Sequence, residues 1–218
     1  MYDYESYEKY PHHRKWFNKL YVAETFGYSC GPCGLAPKNT GMYIVRPIYN
    51  LSGMGLGAKV KWLEEGDISA TPPGYFWCEY LKGKHYSVDY EFVDGINPYW
   101  KPISCFEGLN RPLNLIKWVE WKKSDYIPEF PKKLNELSDV KRINVEFKGN
   151  DVIEVHLRPS DDPDYDHIIP VWKSEINLSQ GDRGKIAEYI EEYGYKFIPS
   201  DTDADGFLED PRIGFLVK

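Results

Sequence analysis

The stretch from Arg142 to Arg158 constrains the fold more than any other part of the sequence. Its two halves, RINVEFK and DVIEVHLR, alternate apolar and polar residues, as strands with one buried face do. The pair Gly149-Asn150 between them is a favourable turn sequence. The segment therefore predicts an antiparallel β-hairpin with one apolar face and one polar face.

The length of the turn decides which polar residues of this hairpin meet. A two-residue turn at 149–150 pairs Glu146 with Ile153 and sends Glu154 to the opposite face. A three-residue loop at 149–151 pairs Glu146 directly with Glu154. The second register is favoured, because it gathers the apolar side chains of both strands on one face. These side chains are Val145, Phe147, Ile153, Val155 and Leu157.

In the favoured register, Glu146, Glu154 and His156 share the polar face, and Arg158 continues it. Two facing carboxylates are costly unless cations compensate them. Oxygen-rich sites of this kind suit Mg²⁺. The alternative interpretation is the solvated polar face of a half-buried antiparallel sheet.

The remaining patterns predict an α+β chain with mostly antiparallel sheets and few helices. Strands are predicted at 42–48, 58–63, 75–81, 85–92 and 115–121, and in YKFIP and RIGFLVK near the end. Helices are predicted at 11–25 and 184–194, and a short one in PKKLNELS. Residues 159–182 are predicted to be a polar segment with a short apolar interruption at 168–172.

Composition excludes several classes of protein. The chain has 27 Lys and Arg against 34 Asp and Glu, a net charge of −7, which argues against coating duplex DNA or an anionic membrane. With 16% aromatic residues, a wholly disordered chain is not expected. No apolar run approaches the ~18 residues of a membrane helix, and the N-terminus does not resemble a signal peptide. Four cysteines are too few for a disulfide scaffold, so a cytoplasmic location is expected.

A glycine-rich loop follows the first predicted strand. Residues 50–57 carry glycines at 53, 55 and 57, which let a backbone approach a ligand closely. Successive N–H groups in such a loop can hold a phosphate. The sequence matches neither the P-loop nor the dinucleotide fingerprint, and a mobile hairpin tip is the alternative.

Residues 30–33 spell Cys-Gly-Pro-Cys, the thioredoxin-type redox motif. That motif needs a helix that begins at the first cysteine and lowers its pKa. Glycines and prolines crowd this segment and no βαβ pattern surrounds it. A structural turn is therefore favoured over thiol redox chemistry.

Two further motifs are interpreted as surface features. Residues 201–206 match the first half of a calcium loop, but Arg212 stands where the bidentate glutamate belongs. His12 and His13 are adjacent, and neighbouring helical residues do not share a face. An acidic surface turn and a solvated helix start are expected.

Three segments, in this order, resemble those of the ATP-grasp superfamily. YIVRPIYNLSGMGLGAKV resembles its strand, phosphate lid and returning strand, FWCEYLKGKHYSVDYEF its adenine hinge, and RINVEFKGNDVIEVHLRPS its metal-binding strands. The resemblance implies an ATP-grasp-like core at 42–160. Residues 1–41 would then form an N-terminal helix and loop, and 161–218 an extension packed on the core.

The resemblance also implies nucleotide-binding residues. Arg46 stands where the family has a phosphate-binding lysine, and arginine can bind phosphate bidentately. The loop at 52–57 would close over the phosphates, 79–81 would form the adenine hinge, and His85 replaces a ribose-binding acid. The residues so implied are Arg46, Ser52, Gly53, Gly55, Gly57, Glu79, Tyr80, Leu81 and His85.

For the metal, the resemblance implies Mg²⁺ on Glu146 and Glu154. His156 takes the place of the family's asparagine, which makes Mn²⁺ an alternative. Arg158 would face the transferred phosphate or the substrate, so Arg46 and Arg158 are the candidate catalytic residues. The family's preceding α/β domain has no counterpart in the residues before Met42, and Lys38 is the candidate for its second phosphate-binding lysine.

The function implied is an ATP- and Mg²⁺-dependent ligase. It would activate a small-molecule or peptide carboxylate as an acyl phosphate for attack by an amine. Neither a membrane nor a nucleic acid is an expected partner. The rest of the substrate site would come from the N-terminal segment, from the C-terminal tail, or from a protein partner or second copy of the chain. The alternatives are a non-catalytic nucleotide-binding module of the same fold and a thiol redox protein acting through Cys30 and Cys33.

Overall fold

The computed structural model describes residues 1–51, 55–69, 71–110, 117–174, 183–200 and 210–218. Within them the chain forms two antiparallel sheets and a few short helices. The predicted α+β class, with mostly antiparallel sheets, is confirmed.

The helices lie mainly at the N-terminus. They are α1 (Asp3–Lys9), a first 3₁₀ helix (Pro11–Phe17), α2 (Lys19–Phe26), a second 3₁₀ helix (Lys132–Leu137) and α3 (Arg183–Glu191). The single helix predicted over 11–25 is wrong, because Asn18 interrupts it with an extended backbone. The Asn18 side chain accepts a hydrogen bond from the Tyr21 amide at 2.9 Å, which caps the start of α2.

The smaller sheet has four strands. They are β1 (Cys30–Pro32), β2 (Gly41–Pro47), β3 (Lys59–Leu63) and β4 (Tyr75–Glu79), in the order β1-β4-β2-β3. Tyr43, Val45, Leu63 and Trp77 form its own small apolar cluster. The predicted glycine loop joins β2 to β3, so it lies at one end of this sheet.

The larger sheet has eight strands. They are β5 (His85–Val93), β6 (Tyr99–Asn110), β7 (Trp118–Lys123), β8 (Arg142–Lys148), β9 (Asp151–His156), β10 (His167–Trp172), β11 (Lys196–Pro199) and β12 (Arg212–Val217). Their order is β11-β12-β10-β7-β6-β5-β8-β9. The segment 161–218 therefore contributes three strands to this sheet.

Three strands were not expected from the sequence. β1 lies where a structural turn is predicted, and β6 contains Pro102 and Gly108, which favour a break. β10 coincides with the short apolar interruption of a segment predicted to be polar. Pro102 is accommodated because the pairing of β5 with β6 shifts by one residue beside it. β10 is buried through Ile168, Val171 and Trp172.

The main core covers one face of strands β5, β8 and β9. Its strand residues include Val88, Val145, Phe147, Val152 and Val155, all at most 1% exposed. Helical side chains complete it, among them Trp16, Val22, Leu134 and Leu137. The N-terminal helices are thereby packed against the β8–β9 hairpin, which brings their polar residues close to its edge.

No helix in the described ranges is both long enough and apolar enough to cross a membrane.

Gly83 is expected to be among the least replaceable glycines. Its φ is +123°, and a Cβ there would lie 2.8 Å from the Gly149 backbone nitrogen in the β8–β9 turn. Gly83→Ala should therefore lower the free energy of unfolding by about 3 kcal/mol. Gly66→Ala is the matched control, since its φ is +79° but its Cβ would meet open space; it should cost about 1 kcal/mol. Denaturant unfolding measures both, and equal losses would contradict a close contact at Gly83.

Candidate functional site

The β8–β9 hairpin places Glu146 directly opposite Glu154, which confirms the predicted pairing. The predicted three-residue loop is wrong, because Lys148 pairs with Asp151 across a two-residue turn. The register shifts between Glu146 and Phe147, so that Ile153 is an extra residue, a β-bulge. The bulge therefore does what the longer loop was expected to do, and Val152 replaces Ile153 opposite Phe147.

The bulge also connects the two sheets. The carbonyl of Ile153 accepts a hydrogen bond from Nη2 of Arg46, on β2, at 2.9 Å. The Arg46 guanidinium lies over the Phe76 ring, 5.4 Å from its centroid. Nε of Arg46 is buried and has no hydrogen-bond partner among the described residues. One donor of this guanidinium is therefore left unsatisfied.

Glu154 is surrounded by positively charged groups. Its Oε1 contacts Nζ of Lys19, which is 5% exposed. Its Oε2 lies 3.9 Å from Nη1 of Arg46, and its Oε1 lies 3.6 Å from Nε2 of His156. Lys19 is the first residue of α2, and its amide donates to the Ile48 carbonyl at 2.9 Å. The start of α2 is thus attached to the end of β2, beside Arg46.

Glu146 is held by two imidazoles. Nε2 of His85 lies 3.0 Å from its Oε2, and Nε2 of His156 lies 3.8 Å from its Oε1. Although burial raises the pKa of Glu146, contacts with His156 and His85 hold it well below the usual range. The rings of Trp118 and Trp121 pack against His85, with centroids 4.5 and 5.4 Å away. His85, which is predicted to stand at the ribose, contacts the Glu146 carboxylate.

His156 is buried among carboxylates. Its Nδ1 lies 3.0 Å from Asp3 Oδ2, and Asp3 also accepts from Nε of Arg158 at 2.8 Å. Burial lowers the pKa of His156, but Asp3, with Glu146 and Glu154, raises it to about 10. Burial raises the pKa of Asp3, and His156 and Arg158 lower it overall. Nδ1 of His156 is thus engaged by Asp3, whereas its Nε2 faces Glu146 and Glu154.

The two glutamates fit Mg²⁺ by their chemistry, but both are already paired with groups of the chain itself. Glu146, Glu154 and His156 are not among the described sets of three acidic or histidine side chains whose ligand atoms all lie within 4.8 Å of one another. The role of these three residues in holding a metal remains a prediction.

A compact set of that kind is formed by His12, His13 and Asp139. Nε2 of His13 lies 2.7 Å from Asp139, and Nε2 of His12 lies 3.8 Å from it. The expectation that the two histidines diverge assumed an α-helix. They belong to a 3₁₀ helix, and both reach the same carboxylate.

The predicted glycine loop is described in part. Ser52 and Gly53 lie outside the described residues, as does the calcium-like motif at 201–206. Gly55 and Gly57 have φ of +62° and +76°. A Cβ on Gly57 would lie 2.8 Å from the hydroxyl oxygen of Tyr75, so this end of the loop lies against β4.

The predicted hinge follows β4. The amide of Glu79 donates to the Ser29 carbonyl at 2.8 Å, and that of Tyr80 to the Met42 carbonyl at 3.3 Å. Within the described part of the chain no hydrogen bond is formed by the amide of Leu81. Of the three hinge residues, Leu81 is therefore the one whose amide has no partner among the described residues.

The structure thus brings Arg46, Glu146, Glu154, His85 and His156 together. Arg158, the other predicted catalytic residue, reaches this group through Asp3 and also contacts Asp161 at 3.1 Å. Lys38, the predicted second lysine, is exposed, and no described contact joins it to this group.

Sequence reasoning missed Lys19 and Asp3. Both lie on N-terminal helices whose sequences have no distinguishing pattern. The signal that could have found Lys19 is electrostatic, because two facing carboxylates require a cationic partner.

The thiol redox alternative loses its physical basis. Cys30 lies on a β-strand, opposite Cys78, and not at the start of a helix. Burial, together with Glu24 and Glu79, raises the pKa of the Cys30 thiol to about 11. A redox-active cysteine needs a lowered pKa, so this environment is unsuitable.

No protein-family model and no curated protein matches this sequence. The chain is similar in structure to N5-carboxyaminoimidazole synthetase from Staphylococcus aureus complexed with ADP, at 13% identity and a TM-score of 0.53. It is also similar to an ADP complex of N5-carboxyaminoimidazole ribonucleotide synthetase, at 12% identity and a TM-score of 0.52. Each match covers 93% of this chain and 67% of the other.

This chain has an ATP-grasp-like fold. At such low identity the similarity establishes the fold alone. In this ATP-grasp-like chain, the charged cluster where β2 meets the β8–β9 hairpin is the candidate functional site.

The buried pair of Asp3 and His156 predicts a pH dependence of stability. Because the pKa of His156 rises from 6.5 to about 10 on folding, its contribution is complete below pH 6.5 and is lost as the pH approaches 10. Between these values the wild type should lose about 1.4 kcal/mol per pH unit more than His156→Gln. At pH 6, His156→Gln should cost about 3 kcal/mol.

Urea unfolding at pH values from 6 to 9 measures this difference. His12→Gln is the control, because His12 is exposed, and it should follow the wild type. Parallel curves for wild type and His156→Gln would show that His156 is not a cation in the folded protein.

Proposed function

We propose that this chain binds ATP where its two sheets meet and uses it to activate a carboxylate as an acyl phosphate, which an amine then attacks. The observation that carries the proposal is the unpartnered Nε of Arg46, a buried cationic donor inside an ATP-grasp-like fold. The ADP bound in both similar structures supports the choice of ligand.

Arg46 suits a phosphate for a physical reason. Leaving a buried N–H without an acceptor costs about 1–3 kcal/mol. Its Nη2 is bound to the Ile153 carbonyl, which fixes the plane of the guanidinium and the direction of Nε. A phosphate oxygen in front of Nε would remove that cost and gain a charge-assisted hydrogen bond.

The open amide of Leu81 and the loop at 55–57 would complete the nucleotide site. A backbone N–H at 81 can recognise a ring nitrogen of adenine, as few and well-placed polar groups do in ligand sites. Gly55 and Gly57 both have positive φ, and they bring the loop backbone to the end of β2. Arg46 is the last residue but one of that strand.

In the proposed reaction a carboxylate oxygen attacks the γ-phosphorus and ADP leaves. The amine then attacks the acyl carbon, the amide bond forms, and inorganic phosphate leaves. Arg46 would stabilise the negative charge of the phosphoryl group, which is the main contribution a protein makes to phosphoryl transfer. Arg158, through its place beside Asp3 and His156, would orient the carboxylate substrate. Mg²⁺ would supply further charge neutralisation on the phosphates if it displaced the present partners of Glu146 and Glu154.

A second candidate is nucleotide binding without turnover. It is favoured by the pairing of both glutamates with Lys19, His85 and His156, which leaves neither carboxylate free for a metal.

Arg46→Met is expected to weaken nucleotide binding at least tenfold, because it removes the unpartnered donor and its charge. Isothermal titration with ATP and ADP measures the affinity. The matched control is Arg142→Met. It removes an exposed arginine that is paired with Glu91 within the larger sheet, and the variant should bind nucleotide as the wild type does. Absence of nucleotide binding by the wild type, with or without Mg²⁺, would contradict the proposal.

Turnover distinguishes the two candidates. The ligase should release ADP from ATP and Mg²⁺ only when a suitable carboxylate and amine are both present. A panel of amino acids and short peptides, assayed by coupled ADP detection, provides the test. A protein that binds ATP but releases no ADP across the panel supports the second candidate.

A further inference from the structure

We propose that Lys19 supplies a built-in positive charge at the phosphate site, in the position that a divalent cation would occupy on Glu154. The chain would then bind ADP and ATP without a divalent metal. The inference rests on the proposed function, because it assumes that the nucleotide phosphates bind beside Arg46.

The two facing glutamates need compensating positive charge. Glu146 and Glu154 are directly opposite, and such a pair of like charges destabilises a sheet unless cations compensate it. Lys19 and Arg46 together carry two positive charges and both lie within 4 Å of Glu154. The carboxylates are therefore neutralised by the chain itself, which is what a divalent metal does in a site of this kind.

Lys19 is held firmly beside Glu154. Its amide is bound to the Ile48 carbonyl, the preceding Asn18 caps the helix, and its side chain is only 6% exposed. The ammonium group is therefore kept at Glu154 by backbone and helix contacts, and not only by the ion pair. An exposed ion pair would lack such support.

Lys19 and Arg46 lie on the same carboxylate. Glu154 contacts Lys19 through Oε1 and faces Arg46 through Oε2, so one carboxylate joins the two cations. A lysine ammonium has three N–H donors, and Glu154 is the acceptor that the structure shows for it. A phosphate bound at Nε of Arg46 would have the Lys19 charge beside it.

A metal bound at Glu154 would have to displace the Lys19 ammonium. The ion pair is buried, and removing one partner of such a pair leaves an uncompensated charge. The wild type should therefore bind a free divalent cation weakly, and removal of Lys19 should strengthen that binding.

Titration calorimetry with ADP, in EDTA and in MgCl₂, tests the proposal. For the wild type the dissociation constants in the two buffers should agree within about threefold. Lys19→Met should bind ADP at least tenfold more weakly in EDTA, and MgCl₂ should recover most of that loss. Lys15→Met is the control. Lys15 lies on the first 3₁₀ helix and forms an exposed ion pair with Glu136, so this variant should bind ADP as the wild type does.

A direct measurement of metal binding gives an independent readout. Electron paramagnetic resonance of Mn²⁺, in the absence of nucleotide, reports the free ion. Lys19→Met should retain Mn²⁺ at concentrations where the wild type leaves it free. Lys19→Met/Glu154→Gln should leave it free again, because the carboxylate is gone.

The outcomes separate this inference from the proposed function. If the wild type binds ADP only with Mg²⁺, the role of Lys19 is overturned while nucleotide binding stands. If ADP binds in neither buffer, the proposed function itself fails. Should Lys19→Met not fold, the neutral double variant serves instead. The proposal expects it to bind ADP weakly in EDTA without recovery by MgCl₂, and wild-type affinity in EDTA would overturn the proposal.

Discussion

The pairing of Glu146 with Glu154 across the β8–β9 hairpin is the constraint on which the rest of the site depends. Two carboxylates directly opposite each other repel, and burial makes the repulsion larger. The chain answers with Lys19 from α2 and with imidazoles from β5 and β9. Because these partners come from separate elements, neutralising one pair of charges attaches the N-terminal helices to the large sheet.

The same hairpin also joins the two sheets through a local irregularity. The extra residue Ile153 aligns the glutamates and at the same time turns its carbonyl to Arg46 of the small sheet. With Nη2 bound to that carbonyl, Nε of Arg46 is buried and has no partner among the described residues. A bulge in one strand thus positions both the acidic pair and the cation opposite it, which is the arrangement that makes this junction a candidate phosphate site.

The hairpin and its facing glutamates could be predicted from the sequence, because alternation of apolar residues has a strong effect on register. The bulge could not, since a longer turn produces the same pairing. Lys19 and Asp3 lie 135 and 153 residues from their partners, and only tertiary packing shows that their helices reach this edge. β6 was missed because Pro102 and Gly108 resemble breakers, and a shift in register accommodates the proline.

The central claim is that nucleotide phosphates bind between Arg46 and Lys19. A crystal structure of the full chain with ADP, grown in EDTA, tests it most directly. The account predicts a diphosphate oxygen within hydrogen-bond distance of Arg46 Nε and a second one facing the Lys19 ammonium. ADP bound elsewhere on the protein, or an Arg46 Nε still without an acceptor in the complex, would contradict it.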